Sequence, residues 1–195
     1  MENKKEIRLV ELRAADVTPE SNEMIVEGRA IVFNSQTLMY EFDGIKYYET
    51  IDAGALDECD MSDVVFRYNH LDSMFIMART RKGSLQLTKD QLGLNIRANL
   101  FDISPARDLY TLVKAGAIDK MSFAFTVEEE SYNTDTRTRN ILKIKKLYDV
   151  AAVDMAAYSD TEISARSFFE LEREKERKAL DDAELRKRLL IKTYL

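Results

Sequence analysis

The feature that most constrains the fold is a series of short segments, between residues 7 and 153, that have the composition of β-strands. In the clearest of them, residues 121–127, large apolar residues alternate with Ser, Ala and Thr, which gives the two faces of a strand different side chains. Further strands are predicted at 7–12, 24–33, twice within 36–52, and at 64–68, 77–80, 84–88, 94–101 and 141–153. The chain is therefore predicted to be mainly β, with seven or more short strands.

Three segments are predicted to be helical, and residues 105–115 give the clearest prediction. Ser104 is the expected N-cap, Pro105 occupies the first helical position, and Gly116 follows the end. A short helix is also predicted at 53–59, and a polar connection at 128–140. The segment 166–195 is a charged helix with many charged pairs at i,i+4 spacing, so we expect a domain over residues 1–165 and a charged helical tail over 166–195.

Charge and composition limit the functional classes. The chain has 29 Lys and Arg against 35 Asp and Glu, and this acidic balance argues against a protein that neutralises nucleic-acid phosphates. No run of about 18 apolar residues is present and the amino terminus is charged, so neither a membrane span nor a signal peptide is expected. We expect no nucleic-acid partner and no membrane partner.

Cysteine and histidine are each present once, as Cys59 and His70. An intramolecular disulfide is excluded, which fits a reducing compartment, and so are multi-histidine and cysteine-based metal sites. The sequence also lacks a Gly-rich phosphate-binding loop. We therefore expect neither a metal nor a cofactor.

Ser122 lies in a setting that suits either catalysis or close packing. It shares one face of the strand 121–127 with Ala124 and Thr126, whereas the opposite face is large and apolar. Small side chains let another backbone approach closely, as a nucleophile that attacks an extended peptide requires. The same face also fits tight packing against a neighbouring strand or helix, and the spacing alone favours that structural role.

His70 is the only residue that can act as a histidine base. It follows the apolar segment 64–68, and side chains at strand ends are often functional. It is either a hydrogen-bonded structural residue or the base that takes the proton from Ser122 and returns it to the leaving amine. Asn69 and Asp72 offer hydrogen bonds that suit both roles.

A histidine base needs a third group that holds the imidazole tautomer and stabilises the imidazolium. Asp149 and Asp154 are the candidates that follow Ser122. Because they are five residues apart in one strand pattern, they point to opposite faces unless a bulge intervenes, so at most one should face the site. Asp149 lies in an apolar run, where a buried carboxylate needs a partner.

Six segments stand in an informative order along the chain: GRAIVFNS (28–35), YETIDAGALD (48–57), YNHLDS (68–73), MARTRKGSLQLTKDQLGL (77–94), AGAIDKMSFAF (115–125) and LYDVAAVDMAAYSDT (147–161). Together they resemble the tailed-phage prohead protease family, whose members share the fold of the herpesvirus capsid maturation proteases. The resemblance covers about residues 28–166, which is most of the chain.

The resemblance implies a serine endopeptidase. The family pattern contains Asn-His followed by a carboxylate, then Met-Ser-Phe-Gly-Phe, then a carboxylate in a Leu-x-(Glu/Asp)-Val strand. On the matching positions of this chain, it implies Ser122 as the nucleophile, His70 as the general base and Asp149 as the residue that supports the histidine.

The sequence departs from the family pattern at three positions. Ala124 stands where the family usually has Gly, Ala78 where a Gly precedes Arg-Thr, and Ala156 where a Pro precedes Ala-Tyr. These departures concern the oxyanion hole and the pocket more than the three catalytic candidates. Arg79 and Arg166 are candidates for the oxyanion hole, and neither is assigned to it.

The resemblance also implies an architecture and a set of partners. The expected fold is a closed, mostly antiparallel β-barrel of about seven strands with a few helices. The expected substrates are scaffold, the amino-terminal extension of the major capsid protein and the enzyme itself, inside the phage procapsid in the bacterial host cytoplasm. A homodimer is expected, with the charged tail as a capsid-targeting or self-processed segment.

Two other functions compete with the protease. One is a catalytically inactive capsid assembly or scaffolding protein of the same fold, whose charged tail mediates association; the three Ala departures favour it, whereas the retained Ser, His and Asp favour the protease. The other is a nucleic-acid-binding barrel, which would need a basic surface with interleaved aromatic residues and has little support here.

Overall fold

The computed structural model describes residues 6–15, 23–71, 75–154 and 158–193. Within these ranges the chain forms eleven strands, two α-helices and one 3₁₀ turn, so the predicted mainly β fold is confirmed. In chain order, they are β1 (Glu6–Glu11), β2 (Arg13–Ala14), β3 (Ile25–Val32), β4 (Thr37–Phe42), β5 (Ile45–Ile51), β6 (Val65–Tyr68), β7 (Ala78–Arg79), the 3₁₀ turn (Thr80–Lys82), β8 (Leu85–Lys89), β9 (Gly93–Asn99), α1 (Ser104–Lys114), β10 (Lys120–Asn133), β11 (Thr138–Val153) and α2 (Tyr158–Thr193).

The strands form two sheets that share one apolar core. The larger has the order β1-β10-β11-β5-β4, with β6 also paired to β11 and β7 to β6, and the smaller has the order β2-β3-β9-β8. All pairs are antiparallel except β11 with β5 and β11 with β6, which are parallel. The chain passes from the larger sheet to the smaller one at Leu12, a buried residue that separates β1 from β2 in the sequence.

The expected closed β-barrel is not confirmed. Among the described residues neither sheet closes on itself, because β4 and β8 end their sheets without a further strand partner. The described residues form eleven strands, seven of them in the larger sheet. Several of the eleven are only two to six residues long, and such short pieces extend a sheet only locally.

The hairpin of β10 and β11 is longer than the sequence predicts. The polar segment 128–140 is predicted to be a connection, but most of it belongs to the two strands. Strand β10 continues to Asn133, and β11 begins at Thr138. Most of its β10 side chains are exposed on both faces, so this part of the hairpin shows no apolar alternation. Pattern analysis detects a strand only where one face is buried.

The helix predictions are confirmed in part. Helix α1 covers the predicted segment, but it begins at Ser104, with Ile103 in the capping position and no side-chain cap. The predicted helix at 53–59 is wrong, since the segment forms successive turns with hydrogen bonds from Ala55 N to Asp52 O and from Asp57 N to Gly54 O. The carboxylate of Asp52 accepts a hydrogen bond from the Gly54 amide, an arrangement that favours a turn over a helix.

A buried ion-pair network joins three strands of the larger sheet. Arg8 of β1 donates two hydrogen bonds to Glu49 of β5, at 2.5 and 2.6 Å. Arg139 of β11 donates two to Glu6 of β1, at 2.7 and 2.8 Å, and one to Glu49 at 3.0 Å. All four side chains are at most 10% exposed, so each charge depends on its partners for stabilisation.

The network sets the protonation of Glu6. Burial is the largest influence and opposes ionisation, but the hydrogen bond from Arg139 and the charges of Arg8 and Arg139 outweigh it together, and the pKa of Glu6 is lowered. Burial likewise opposes the charge of Arg139, whereas its carboxylate partners raise its pKa. Glu6 and Arg139 therefore stay charged inside the protein at neutral pH.

Helix α2 packs against the same region through two adjacent aromatic residues. The guanidinium of Arg139 lies 4.6 Å from the ring centroid of Phe168. Phe169 is fully buried, with its ring 5.3 Å from that of Tyr47 and 6.3 Å from that of Tyr132. Farther along α2, the side chains of residues 177–187 are exposed, including Leu180 and Leu185. The charged helix at 166–195 is thus part of a helix that already begins at Tyr158, while the domain boundary at 165 stays a prediction.

Removing the aromatic part of α2 should destabilise the sheet, whereas removing only its exposed part should not. A chain that ends at Ala165 loses both Phe168 and Phe169, and we expect it to lose at least about 3 kcal/mol of unfolding free energy in urea. A chain that ends at Lys178 keeps both rings and should lose less than about 1 kcal/mol. Equal stability of the two truncated chains would contradict the packing role of the rings.

Breaking the network at Arg139 should be costly. Arg139→Met leaves Glu6 and Glu49 with one guanidinium partner, and we expect a loss of roughly 3–5 kcal/mol of unfolding free energy. Lys143→Met on the same strand is the matched control, because Lys143 is 48% exposed and pairs with Glu129 in solvent; it should change stability by less than about 0.5 kcal/mol. Similar losses in both variants would contradict the buried network.

Acid should weaken the same network. Because the folded chain lowers the pKa of Glu6 below its ordinary value of 4.5, the ionised carboxylate stabilises the fold above that value. The stabilisation is lost as the pH falls through the lowered pKa. The difference in unfolding free energy between wild type and Glu6→Gln should therefore be smaller at about pH 3 than at about pH 7. A difference that grew on acidification would refute this assignment.

Candidate active site

Ser122 lies at the centre of the larger sheet. Its strand, β10, pairs with β1 on one side, where Leu9 is opposite Ser122, and with β11 on the other, where Ala151 is opposite. The side chain of Ser122 is fully buried, and its Oγ has no hydrogen-bond partner among the described residues. A buried hydroxyl without a partner is energetically unfavourable and is often found where a protein performs chemistry.

The two faces of β10 differ as the sequence predicts. Met121, Phe123 and Phe125 belong to the apolar core, whereas Ser122 and Ala124 do not. Residues directly opposite each other in an antiparallel pair share a face, so the register Ala124 to Asp149 places Asp149 on the face that carries Ser122. One irregularity follows, between Ala124 and Phe125.

His70 follows β6, the strand parallel to β11. Asn69 and His70 both adopt positive φ angles, 49° and 54°, so the chain turns sharply there. Nδ1 of His70 is hydrogen-bonded to Oδ1 of Asp149, and the two side chains are only 10% and 4% exposed. This bond places the imidazole proton on Nδ1 and leaves the lone pair of Nε2 free to accept a proton.

Within the described part of the chain, Nε2 of His70 is buried without a hydrogen-bond partner, as is Oγ of Ser122. The structure therefore joins two of the three predicted residues, His70 and Asp149, by a direct hydrogen bond. It places the third, Ser122, on the strand next to that of Asp149 and on the same face of the sheet. A carboxylate, an imidazole with a free nitrogen and an unpartnered hydroxyl are the components of nucleophilic acyl transfer.

Asp154, the other carboxylate candidate, has a different set of partners. It accepts hydrogen bonds from the Tyr68 hydroxyl at 2.7 Å and from the Asn69 side-chain amide at 3.0 Å. The hydrogen bond to Asp154 is the largest cause that raises the pKa of Tyr68, and burial adds to it. The sequence alone presents Asp154 only as a candidate partner of His70, and no local pattern in it indicates this arrangement. Asp72, the other proposed hydrogen-bond partner, lies outside the described residues.

The two oxyanion-hole candidates gain no support. Arg79 donates two hydrogen bonds of 2.5 Å to Asp63, and the side chain of Arg166 lies outside the described residues. Ala78 and Ala124, which replace family glycines, are buried, and neither has a positive φ. Neither position therefore requires the conformational freedom of glycine.

The parts of the chain that the structure describes contain no cluster of three or more His, Cys, Asp or Glu residues able to hold a metal ion. None of the helices in those parts is long and apolar enough to cross a membrane.

Comparison with known proteins identifies the family. The profile described as caudovirus prohead serine protease matches residues 9–175, a range that includes Ser122, His70 and Asp149. Among solved structures, the capsid assembly protease of bacteriophage T4 is similar, with a TM-score of 0.50 and 12% identity over 77% of this chain and 99% of that chain. At this identity the likeness concerns the fold. No curated protein matches the sequence. Because the profile covers most of its length, the chain belongs to the caudovirus prohead serine protease family.

Proposed function

We propose that this protein is a serine endopeptidase of phage procapsid maturation, with Ser122 as the nucleophile, His70 as the general base and Asp149 as the residue that orients the imidazole. The observation that carries the proposal is the buried hydrogen bond between His70 Nδ1 and Asp149. Its setting supports the proposal, because His70 Nε2 and Ser122 Oγ are both buried and neither has a hydrogen-bond partner among the residues that the structure describes.

The chemistry follows from the two imidazole nitrogens. His70 Nε2 takes the proton from Ser122 Oγ as the oxygen attacks the peptide carbonyl, and Asp149 stabilises the imidazolium that forms. The imidazolium then gives the proton to the leaving amine, and an acyl-enzyme remains on Ser122. A water molecule, deprotonated by the same nitrogen, releases the acyl group. Burial strengthens the interaction of Asp149 with the imidazolium, because water does not screen it.

The proposed substrates are capsid proteins. The family description names the prohead, and the similar T4 protein is a capsid assembly protease. We infer that scaffold, the amino-terminal extension of the major capsid protein, or both are cleaved, and that the enzyme also cleaves itself. The reaction takes place inside the procapsid, in the cytoplasm of the bacterial host. The enzyme acts as a homodimer, and the exposed part of α2 is a capsid-targeting or self-processed segment.

A catalytically inactive assembly protein of the same fold is the second candidate. The observation that favours it is the complete burial of Ser122, because a substrate peptide must reach Oγ. The alanines at positions 78 and 124, where the family has glycine, point the same way. The two candidates differ in one measurable property, which is whether capsid protein is cut.

Co-expression with the major capsid protein and scaffold should show cleavage that depends on all three residues. Intact-mass measurement of assembled procapsids is expected to detect shortened capsid protein or scaffold with wild type and only full-length chains with Ser122→Ala or His70→Ala. Asp149→Asn should slow cleavage by a factor on the order of 10⁴, because an amide does not hold the imidazole in the required tautomer.

Thr126→Val is the matched control. It removes another buried hydroxyl of the same strand, one that also has no hydrogen-bond partner in the described ranges, while the side chain keeps nearly the same shape. Cleavage should persist in this variant. Full-length capsid protein and scaffold in wild-type procapsids would reject the protease in favour of the assembly protein, and cleavage that survives Ser122→Ala would reject Ser122 as the nucleophile.

A further inference from the structure

The turn that carries His70 has an unfavourable backbone conformation. Asn69 and His70 are consecutive, and both have φ angles in the left-handed region, at 49° and 54°. Asn and His occur in this region more often than most residues with a side chain, but the region is still unfavourable for any L residue because of its Cβ. Two such residues in succession persist only when surrounding contacts hold them in place.

Those contacts come from the residue that follows β11. The carboxylate of Asp154 accepts hydrogen bonds from the Tyr68 hydroxyl at 2.7 Å and the Asn69 side-chain amide at 3.0 Å. In return, the backbone amide of Asp154 donates to Oδ1 of Asn69 at 3.3 Å, and the backbone amide of Asn69 donates to the Ala152 carbonyl at 2.9 Å. Four hydrogen bonds therefore join the end of β6 to the end of β11.

These two strands carry the two groups that must meet. His70 follows β6 and Asp149 lies on β11, so a bond between the ends of the strands fixes the distance from the imidazole to its carboxylate partner. We propose that Asp154 is a positioning residue: through Tyr68 and Asn69, it holds the left-handed turn from which His70 reaches Asp149. The inference rests on the proposed function, in which His70 is the base.

The role of Asp154 is geometric. The hydrogen bonds described above bring its carboxylate to Tyr68 and Asn69, and Asp154 is solvent-exposed, so its charge is screened from the imidazole. What matters is that its two oxygens accept from two donors at once. An asparagine at this position keeps one acceptor for Asn69 and offers its amide to the Tyr68 oxygen, whereas an alanine offers neither.

The single histidine of the chain makes the turn directly observable. In protein labelled with ¹⁵N-histidine, a long-range ¹H–¹⁵N spectrum contains one imidazole, that of His70, and shows which nitrogen carries the proton. The measurement is made in the Ser122→Ala background, so it does not depend on activity or self-cleavage. When Ser122→Ala is the only substitution, we expect the spectrum to show the proton on Nδ1.

Asp154→Ala should convert this signal to an average of the two tautomers, and Asp154→Asn should restore the Nδ1 signal. Tyr68→Phe removes only one of the four hydrogen bonds and should give an intermediate spectrum, which provides a test if the alanine variant does not fold. Asp102→Asn is the control, because Asp102 is an exposed carboxylate that pairs with Arg107, away from the turn. Its spectrum should match that of the parent.

In chains that retain Ser122, the rate at which capsid protein is cleaved should change in the same variants as the imidazole spectrum. Asp154→Ala is expected to slow it by about 100-fold, the effect of misplacing a reacting group by about 1 Å, whereas Asp154→Asn and Asp102→Asn should stay within about threefold of wild type. An unchanged imidazole signal in both Asp154→Ala and Tyr68→Phe would overturn the inference, whatever the cleavage rates. An altered signal in a protein whose wild type cuts nothing would support the positioning role and contradict only the protease.

Discussion

The pairing of β10 with β11 is the constraint on which the rest of the larger sheet depends. Strands β1, β5 and β6 all pair directly with one of these two strands. The register that sets Ser122 opposite Ala151 and Ala124 opposite Asp149 also directs Phe123 into the core. A slip of one residue in this register would exchange the two faces of the strand, so that its apolar residues would leave the core and its polar residues would point into it. The energy of the core therefore fixes the face on which Ser122 and Asp149 lie.

The other end of the hairpin is fixed by charge. Arg139 lies near the start of β11, where it joins β1 and β5 through Glu6 and Glu49 and contacts Phe168 of α2. All four of these buried charges have partners in the observed register, and a shift in register would leave buried charges unpaired, which is energetically costly. The same strand thus begins at the ion-pair network and ends near the candidate active site, so an error in register at one end would displace the other.

The sequence predicts the elements that bury one face, and it fails where burial does not determine the pattern. Strand 121–127 and helix α1 followed from alternation and from the residues at the helix ends, whereas the residues alone left Asp149 and Asp154 open and only the family resemblance pointed to Asp149. The exposed half of the β10–β11 hairpin has no apolar alternation, and Glu6 and Arg139 are 133 positions apart, so local patterns do not reveal either. Sheet closure depends on how short strands pair, which no pattern within one segment specifies.

The two aspartates near the end of β11 show how position divides the work between identical side chains. Asp149 is buried against the imidazole, where little water screens its charge, and it can stabilise a cation that forms on His70. Asp154 is exposed, so its charge has little effect at a distance, but its two oxygens hold a turn that the backbone alone would not adopt. Replacing the carboxylate by an amide at position 149 therefore removes the charge that stabilises the imidazolium. The same replacement at position 154 retains most of the hydrogen bonding that holds the turn. The chemistry of a residue here is decided by its burial as much as by its type.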